Sequence, residues 1–210
     1  AQTNLMLEYV GVKFGIQEQK CSVVLNGAPA FKSKIEDEIL INKRPLKFVY
    51  AGTLNKGRGI ELLLALFKGS HHELYLLGAN GEWISDESNV FYLGSKVELE
   101  AMNIVSKFDI GIVHYDESKC YYNLCFPTKF AFYFQCGLPV LSTKLKESFF
   151  QLDSYQMCFF KSFNEWGVFL QTISIDDVKA KKKNVENMKF MFLWENLITS
   201  EKLMLNNKIL

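Results

Sequence analysis

Residues 47–67 read KFVYAGTLNKGRGIELLLALF. Lys47 to Ala51 is a short run of the type a strand shows when both of its faces are covered. The chain then passes through Gly52-Thr53-Leu54-Asn55-Lys56-Gly57-Arg58-Gly59. Beyond the glycines, Ile60, Leu63, Leu64 and Phe67 recur at i, i+3, i+4 and i+7, which predicts a helix. A strand, a glycine-rich turn and a helix in succession open a βαβ unit, so the rest of the chain is expected to build a parallel sheet.

Downstream the same grammar repeats. Glu73 to Leu77 and Val90 to Leu93 read as strands stopped by Gly78 and Gly94. Val97, Ala101, Ile104, Val105 and Phe108 mark a helix, and Asp109 to Val113 a strand. Phe130 to Cys136 reads as a helix ended by Gly137 and Pro139, and Leu138 to Leu141 and Met157 to Phe160 as two more strands. Upstream, Leu5, Tyr9 and Val12 stand at helical spacing, and Ser22 to Leu25 reads as a strand ending at the Asn26-Gly27 turn. The expected architecture is a Rossmann-like, doubly wound, mostly parallel sheet with helices on both faces and a helical tail. Ligands of such sheets bind at the carboxyl ends of the strands. The tail carries Lys179, Lys181, Lys182 and Lys183, then a stripe of Phe190, Leu193, Trp194, Leu197 and Ile198. It fits a terminal helix packed on its own domain, with a basic membrane-surface helix as the alternative.

Composition closes off several classes. The 210 residues are 49% hydrophobic with a net charge of +1, which gives a sizeable core and excludes a disordered chain. A neutral chain offers no bulk electrostatic grip on nucleic acid. No apolar run reaches the length of a membrane span. The basic residues are nearly all lysine, and Arg44 and Arg58 are the two arginines. Five cysteines are an odd count with no CxxC pair, and there are three histidines, so neither a disulfide framework nor a metal site is expected. Cys136 and Cys158 read as small buried apolar residues, and His71-His72 as an exposed turn.

Two stretches can carry chemistry. In the loop 52–59 the glycines let backbone approach a phosphate, the helix that follows offers unpaired N–H groups, and Arg58 adds a forked cation. The bland alternative is a flexible turn. In the second, Tyr121 to Val140, Pro127 opens a helix that carries Lys129 in its first turn. A helix dipole disfavours a cation there unless an anion sits beside it; otherwise Lys129 is a solvated lysine. His114, just after a strand, either faces a ligand or packs.

Taken together these stretches resemble the carboxyl-terminal half of the group 1, GT-B fold retaining glycosyltransferases. The pieces fall in family order: Cys21 to Pro29, the segment Val49 to Leu64 with Arg58-Gly59 at the family's Lys-Gly position, Leu74 to Gly78, Asn89 to Gly94, Phe108-Asp109, Pro127 to Val140 against Pro-x-Lys-Leu-Phe-Glu-Tyr … Ala-Gly-x-Pro-Val, and Trp194-Glu195. The resemblance implies a domain that binds a nucleotide-sugar donor, with a uridine nucleotide as the first choice and no cofactor or bound metal. It implies Arg58 and Lys129 as the groups that stabilise the leaving diphosphate. It also implies a donor site of Gly52, Thr53, Arg58, Gly94, Ser95, Lys96, Asn123, Phe126, Thr128 and Lys129, with Ser95 and Lys96 near the base. The acceptor would be a polysaccharide, lipid-linked sugar or other glycan, in a cytoplasmic enzyme with peripheral membrane association as an option.

Some positions depart from the pattern. Phe132 stands where the family's Glu holds the ribose, Leu124 where many members carry another Glu, and Thr53 where the family has Arg. A phenylalanine accepts no hydrogen bond from a ribose. These losses support the alternative of a degenerate, non-catalytic nucleotide-binding half. On the same comparison, residues 1–45 are the end of an amino-terminal domain and linker, 46–178 the donor-binding domain and 179–210 the helical tail. The chain is then expected to fold alone and not to catalyse alone. A dinucleotide oxidoreductase is disfavoured, because no Gly-x-Gly-x-x-Gly follows the first strand.

Overall fold

A computed structural model describes residues 3–17, 21–32 and 45–199 of the chain. The element order is α1 (Asn4–Phe14), β1 (Lys47–Ala51), α2 (Ile60–Lys68), β2 (Glu73–Leu77), β3 (Val90–Tyr92), α3 (Glu98–Val105), β4 (Ile110–Val113), α4 (Cys120–Leu124), α5 (Thr128–Gln135), β5 (Val140–Ser142), α6 (Lys146–Leu152), β6 (Cys158–Phe160), α7 (Trp166–Thr172) and α8 (Ile175–Met188). The six strands form one sheet in the order β3-β2-β1-β4-β5-β6, and every pairing is parallel. The expected mostly parallel sheet is thus wholly parallel among the described residues.

Each face of the sheet has its own core. On one, Val49, Val113, Phe130, Phe134 and Val140 pack with Val105 and Val185 from α3 and α8. On the other, Phe48, Ile110, Ile112 and Leu141 pack with Leu63, Phe67, Trp166 and Phe169 from α2 and α7. The alternation of Phe48 and Val49 between the two clusters is the period-2 geometry of a strand covered on both sides. Cys136 and Cys158 are buried in the first core, and burial pushes the Cys136 thiol up to about 12.

Strand order reverses between β1 and β4, and the two pair only at Phe48↔Ile110 and Val49↔Gly111. Beyond that point Tyr133 bridges them. Its phenol accepts from the Ala51 N–H at 2.7 Å and donates to the Ile112 carbonyl at 3.2 Å. Its ring fills the space over Gly111, where a Cβ would collide with it. The crevice at the switch point is therefore held open by a buried side chain from α5.

At the amino-terminal ends of the same two strands, the buried Asp109 carboxylate accepts from the Lys47 N–H at 2.8 Å and pairs with Lys182 of α8 at 3.7 Å. Lys182 also donates to the Phe108 carbonyl and Lys181 to the Gln156 carbonyl, so two of the four tail lysines bond into the domain. Leu193 bridges Ala28, and residues 194–199 are helical. The stripe read as one helix from Phe190 is broken there, because that bridge holds Leu193 in extended backbone. Residues 200–210 of the proposed tail, and much of the proposed 1–45 segment, lie outside the described residues. Ser22 to Leu25, expected as a strand, is neither strand nor helix.

The reading of His71-His72 as an exposed turn holds for His71 alone. His72 is 3% exposed, and its Nδ1 accepts from the Leu46 N–H at 3.1 Å. Burial, reinforced by the neighbouring His71, lowers its pKa to about 4. Burial does the same to His114, also to about 4. An unfolded histidine titrates near ~6.5. Between those values the unfolded chain binds more protons than the folded one, so stability is full above pH ~6.5 and declines as pH falls toward about 4. The slope is up to about 1.4 kcal/mol per pH unit for each histidine. Thermal melting is expected at lower temperature at pH 5 than at pH 7, and His72→Asn, which keeps an acceptor for Leu46, should flatten about half of the decline. A melting temperature of the wild-type protein that does not change over this range would contradict the assignment.

Candidate functional site

The carboxyl ends of β1, β2 and β3 run into Gly52, Gly78 and Gly94. Backbone pairing continues through them: the Gly52 N–H reaches the Leu77 carbonyl and the Gly78 N–H the Gly94 carbonyl, both at 2.9 Å. Gly78 packs so close to Gly52 that a Cβ on it would overlap the Gly52 carbonyl. Gly52 in turn lies under the Lys129 side chain, whose Cε and Nζ would stand 2.8 and 2.9 Å from a Cβ there. The sequence thus leaves a bare backbone floor with a lysine laid across it.

Lys129 sits in the first turn of α5, a helix with no side-chain cap. Its Nζ lies over the rings of Tyr50 and Tyr115, 5.2 and 5.5 Å from their centroids, and donates to the Tyr115 hydroxyl at 3.3 Å. Arg58, at the uncapped start of α2, lies within electrostatic reach of both phenols. Neither Arg58 nor Lys129 has a carboxylate partner among the described residues. Two cations without an ion pair among the described residues and two uncapped helix starts therefore border the switch-point crevice. An anionic ligand meets that arrangement.

A cavity opens on either side of this point. The first, about 530 Å³, is bounded by the 57–59 loop with Arg58, by His114 to Lys119 after β4, and by Ser162 to Asn164 after β6. The second, about 550 Å³, lies between Gly52, Gly78 and Lys129 on its floor and Ala28, Lys96, Glu98, Ala101, Phe132 and Trp194 around it. Its Phe132, Ala101 and Trp194 surfaces suit a flat, partly apolar group.

The sequence-derived site is brought together in part. Gly52, Lys96, Thr128 and Lys129 line the second cavity, and Arg58 lines the first. Lys96 is engaged at 3.0 Å by Glu100, a surface pair that holds it only weakly. Thr53, Gly94 and Ser95 line neither cavity. Phe126 is corrected: its side chain is fully buried against Phe130 and Phe192, because the chain turns it into the core just before α5. Asn123 is corrected as well. Its amide donates to the Glu117 carbonyl at 2.7 Å and accepts from the Lys146 N–H at 3.1 Å, so it fastens the loop after β4 to α6. His114 is 7% exposed, packed on Phe163 and Trp166 and against Gly59, and held neutral by burial, at the wall of the first cavity. Sequence reasoning missed Tyr50 and Tyr115. The signal was present: both are tyrosines near the carboxyl ends of adjacent strands.

No protein-family model matches the sequence, and no curated protein matches it. Solved structures do. A glycosyltransferase from Rickettsia africae superposes with a TM-score of 0.66 at 12% identity over 100% of this chain and 62% of its own. Anabaena HepE in complex with UDP and glucose gives 0.67 at 12% identity, over 99% of this chain and 61% of its own. Sucrose-phosphate synthase from Thermosynechococcus elongatus gives 0.64 at 13% identity, over 99% and 57%. The chain spans about 60% of the length of the structures it resembles. With its six-stranded 3-2-1-4-5-6 sheet, this chain has the fold of the carboxyl-terminal half of the GT-B glycosyltransferases.

Proposed function

We propose that this chain is the donor-binding domain of a glycosyltransferase and that it holds a nucleoside diphosphate sugar at the crevice between β1 and β4. The observation that carries the reading is Lys129 laid across the glycine floor at the strand ends, with Arg58 acting on the same Tyr50 phenol and neither cation in an ion pair among the described residues. The nucleoside enters the second cavity, against Phe132 and Trp194, and the diphosphate lies against Lys129 and Arg58. UDP is the proposed nucleotide, supported by the Anabaena protein of the same fold with UDP bound. As the glycosidic bond breaks, negative charge grows on the leaving diphosphate, and fixed cations and helix starts stabilise it. The acceptor, a glycan or lipid-linked sugar, would meet the donor from a second domain across the cleft, on the cytoplasmic side and with retention of configuration. Among the described residues no helix is long and apolar enough to cross a membrane.

Phe132 favours a second reading. It lines the nucleoside cavity with a ring that accepts nothing from a ribose, which fits a domain that binds a nucleotide without catalysing transfer. Calorimetric titration with UDP, GDP, CMP and NAD in metal-free buffer tests the first statement. Saturable binding of one nucleoside diphosphate supports it, and preference for NAD overturns it. Transfer or donor hydrolysis by the protein that joins this domain to its second half then separates the two readings.

A further inference from the structure

Three other tyrosines give their hydroxyl protons to acceptors within the protein. Tyr133 donates to the Ile112 carbonyl, Tyr75 to the Glu73 carboxylate at 2.8 Å and Tyr92 to the Gly78 carbonyl at 3.1 Å. Tyr50 and Tyr115 differ. Lys129 occupies a lone pair of the Tyr115 oxygen, and no acceptor among the described residues takes the proton of either phenol. Tyr50 is buried, at 5% exposed, and Tyr115 is partly buried, its ring tilted against that of Tyr122 with centroids 4.7 Å apart. The Tyr115 backbone is fixed by its N–H to the Thr143 hydroxyl at 3.2 Å. Two phenols that flank a cation at the crevice, with protons that no described acceptor takes, suit a partner that arrives from outside. With Arg58 and Lys129 they make four groups able to donate and no carboxylate, a set that matches a ligand rich in acceptor oxygens.

We propose that Tyr50 and Tyr115 are binding residues whose phenols donate hydrogen bonds to the phosphate oxygens of the nucleotide. This rests on the donor-domain reading and adds two ligands to its diphosphate site. Burial raises the pKa of both phenols above the ordinary value, which keeps them protonated donors at neutral pH. The rings also fix Lys129 between them, so the anion meets a pre-positioned cation.

The test is titration of the wild-type chain, Tyr115→Phe and Tyr50→Phe with UDP and with uridine. Each variant keeps the ring and loses the hydroxyl. UDP affinity is expected to fall about tenfold in each, with uridine affinity and melting temperature nearly unchanged. Equal loss for UDP and uridine would mean that the phenols only shape the pocket, and unchanged UDP affinity would overturn the proposal while the donor-domain reading stands. Failure of the wild-type chain to bind UDP at all would remove that reading and this proposal with it.

Discussion

Lys129→Ala is expected to weaken UDP binding by about 10- to 150-fold, the loss of a hydrogen-bonded charge of roughly 1.5–3 kcal/mol. The reasoning starts from where the charge sits. Lys129 is half-buried in the first turn of a helix whose dipole opposes it, and no carboxylate pairs with it among the described residues. The packing around it is fixed by two tyrosine rings and a glycine floor, so the ammonium group has little freedom to escape to solvent. A protein keeps such a cation at little advantage to its own stability, and alanine there should leave the melting temperature near the wild-type value or raise it. Arg58→Ala acts in the same direction on the other side of the crevice. Calorimetry with UDP and a thermal melt on each variant measure both quantities. Unchanged affinity with a lowered melting temperature would make Lys129 a structural lysine.

Gly78→Ala should destabilise the fold by about 3 kcal/mol or more, or about 6 °C or more in melting temperature for a chain of this size. The new Cβ would overlap the Gly52 carbonyl, which is backbone and cannot turn aside. Moving Gly52 would disturb its bond to the Leu77 carbonyl and the seat of Lys129, so UDP affinity should fall as well. Gly57→Ala is the contrast. Gly57 has φ +78 but nothing within 4 Å of its would-be Cβ, so it loses only about 1 kcal/mol from the left-handed backbone. Equal stability of the two variants would contradict the close approach of the β1 and β2 ends.

The fold was legible because strands buried on both faces and helices of period 3.6 write different patterns. Phe48 and Val49 belong to opposite cores, and Ile60, Leu63 and Phe67 to one. Helix ends were legible where a marker residue stands: the apolar period starts at Phe130, but Pro127 put Lys129 in the first turn, and the helix begins at Thr128. At the site, Lys129 stands out in sequence because a cation in a helix's first turn conflicts with the dipole, and Arg58 because it is one of two arginines and sits in a glycine cluster. Asn123 and Phe126 were misplaced because their roles depend on which way a short irregular loop turns each side chain. No periodicity encodes that. His72 was misread for a related reason: it precedes β2 directly, so its ring turns inward while that of His71 stays out. Tyr50 hid in an apolar run, where its ring reads as core and its hydroxyl goes unnoticed.

The most direct measurement is a crystal structure of the chain with UDP. The account predicts the uracil in the cavity of Phe132 and Trp194, and the diphosphate between Arg58 and Lys129, with phosphate oxygens within about 3 Å of the Lys129 ammonium. UDP ordered elsewhere on the domain, with Arg58 and Lys129 facing only water, would contradict it.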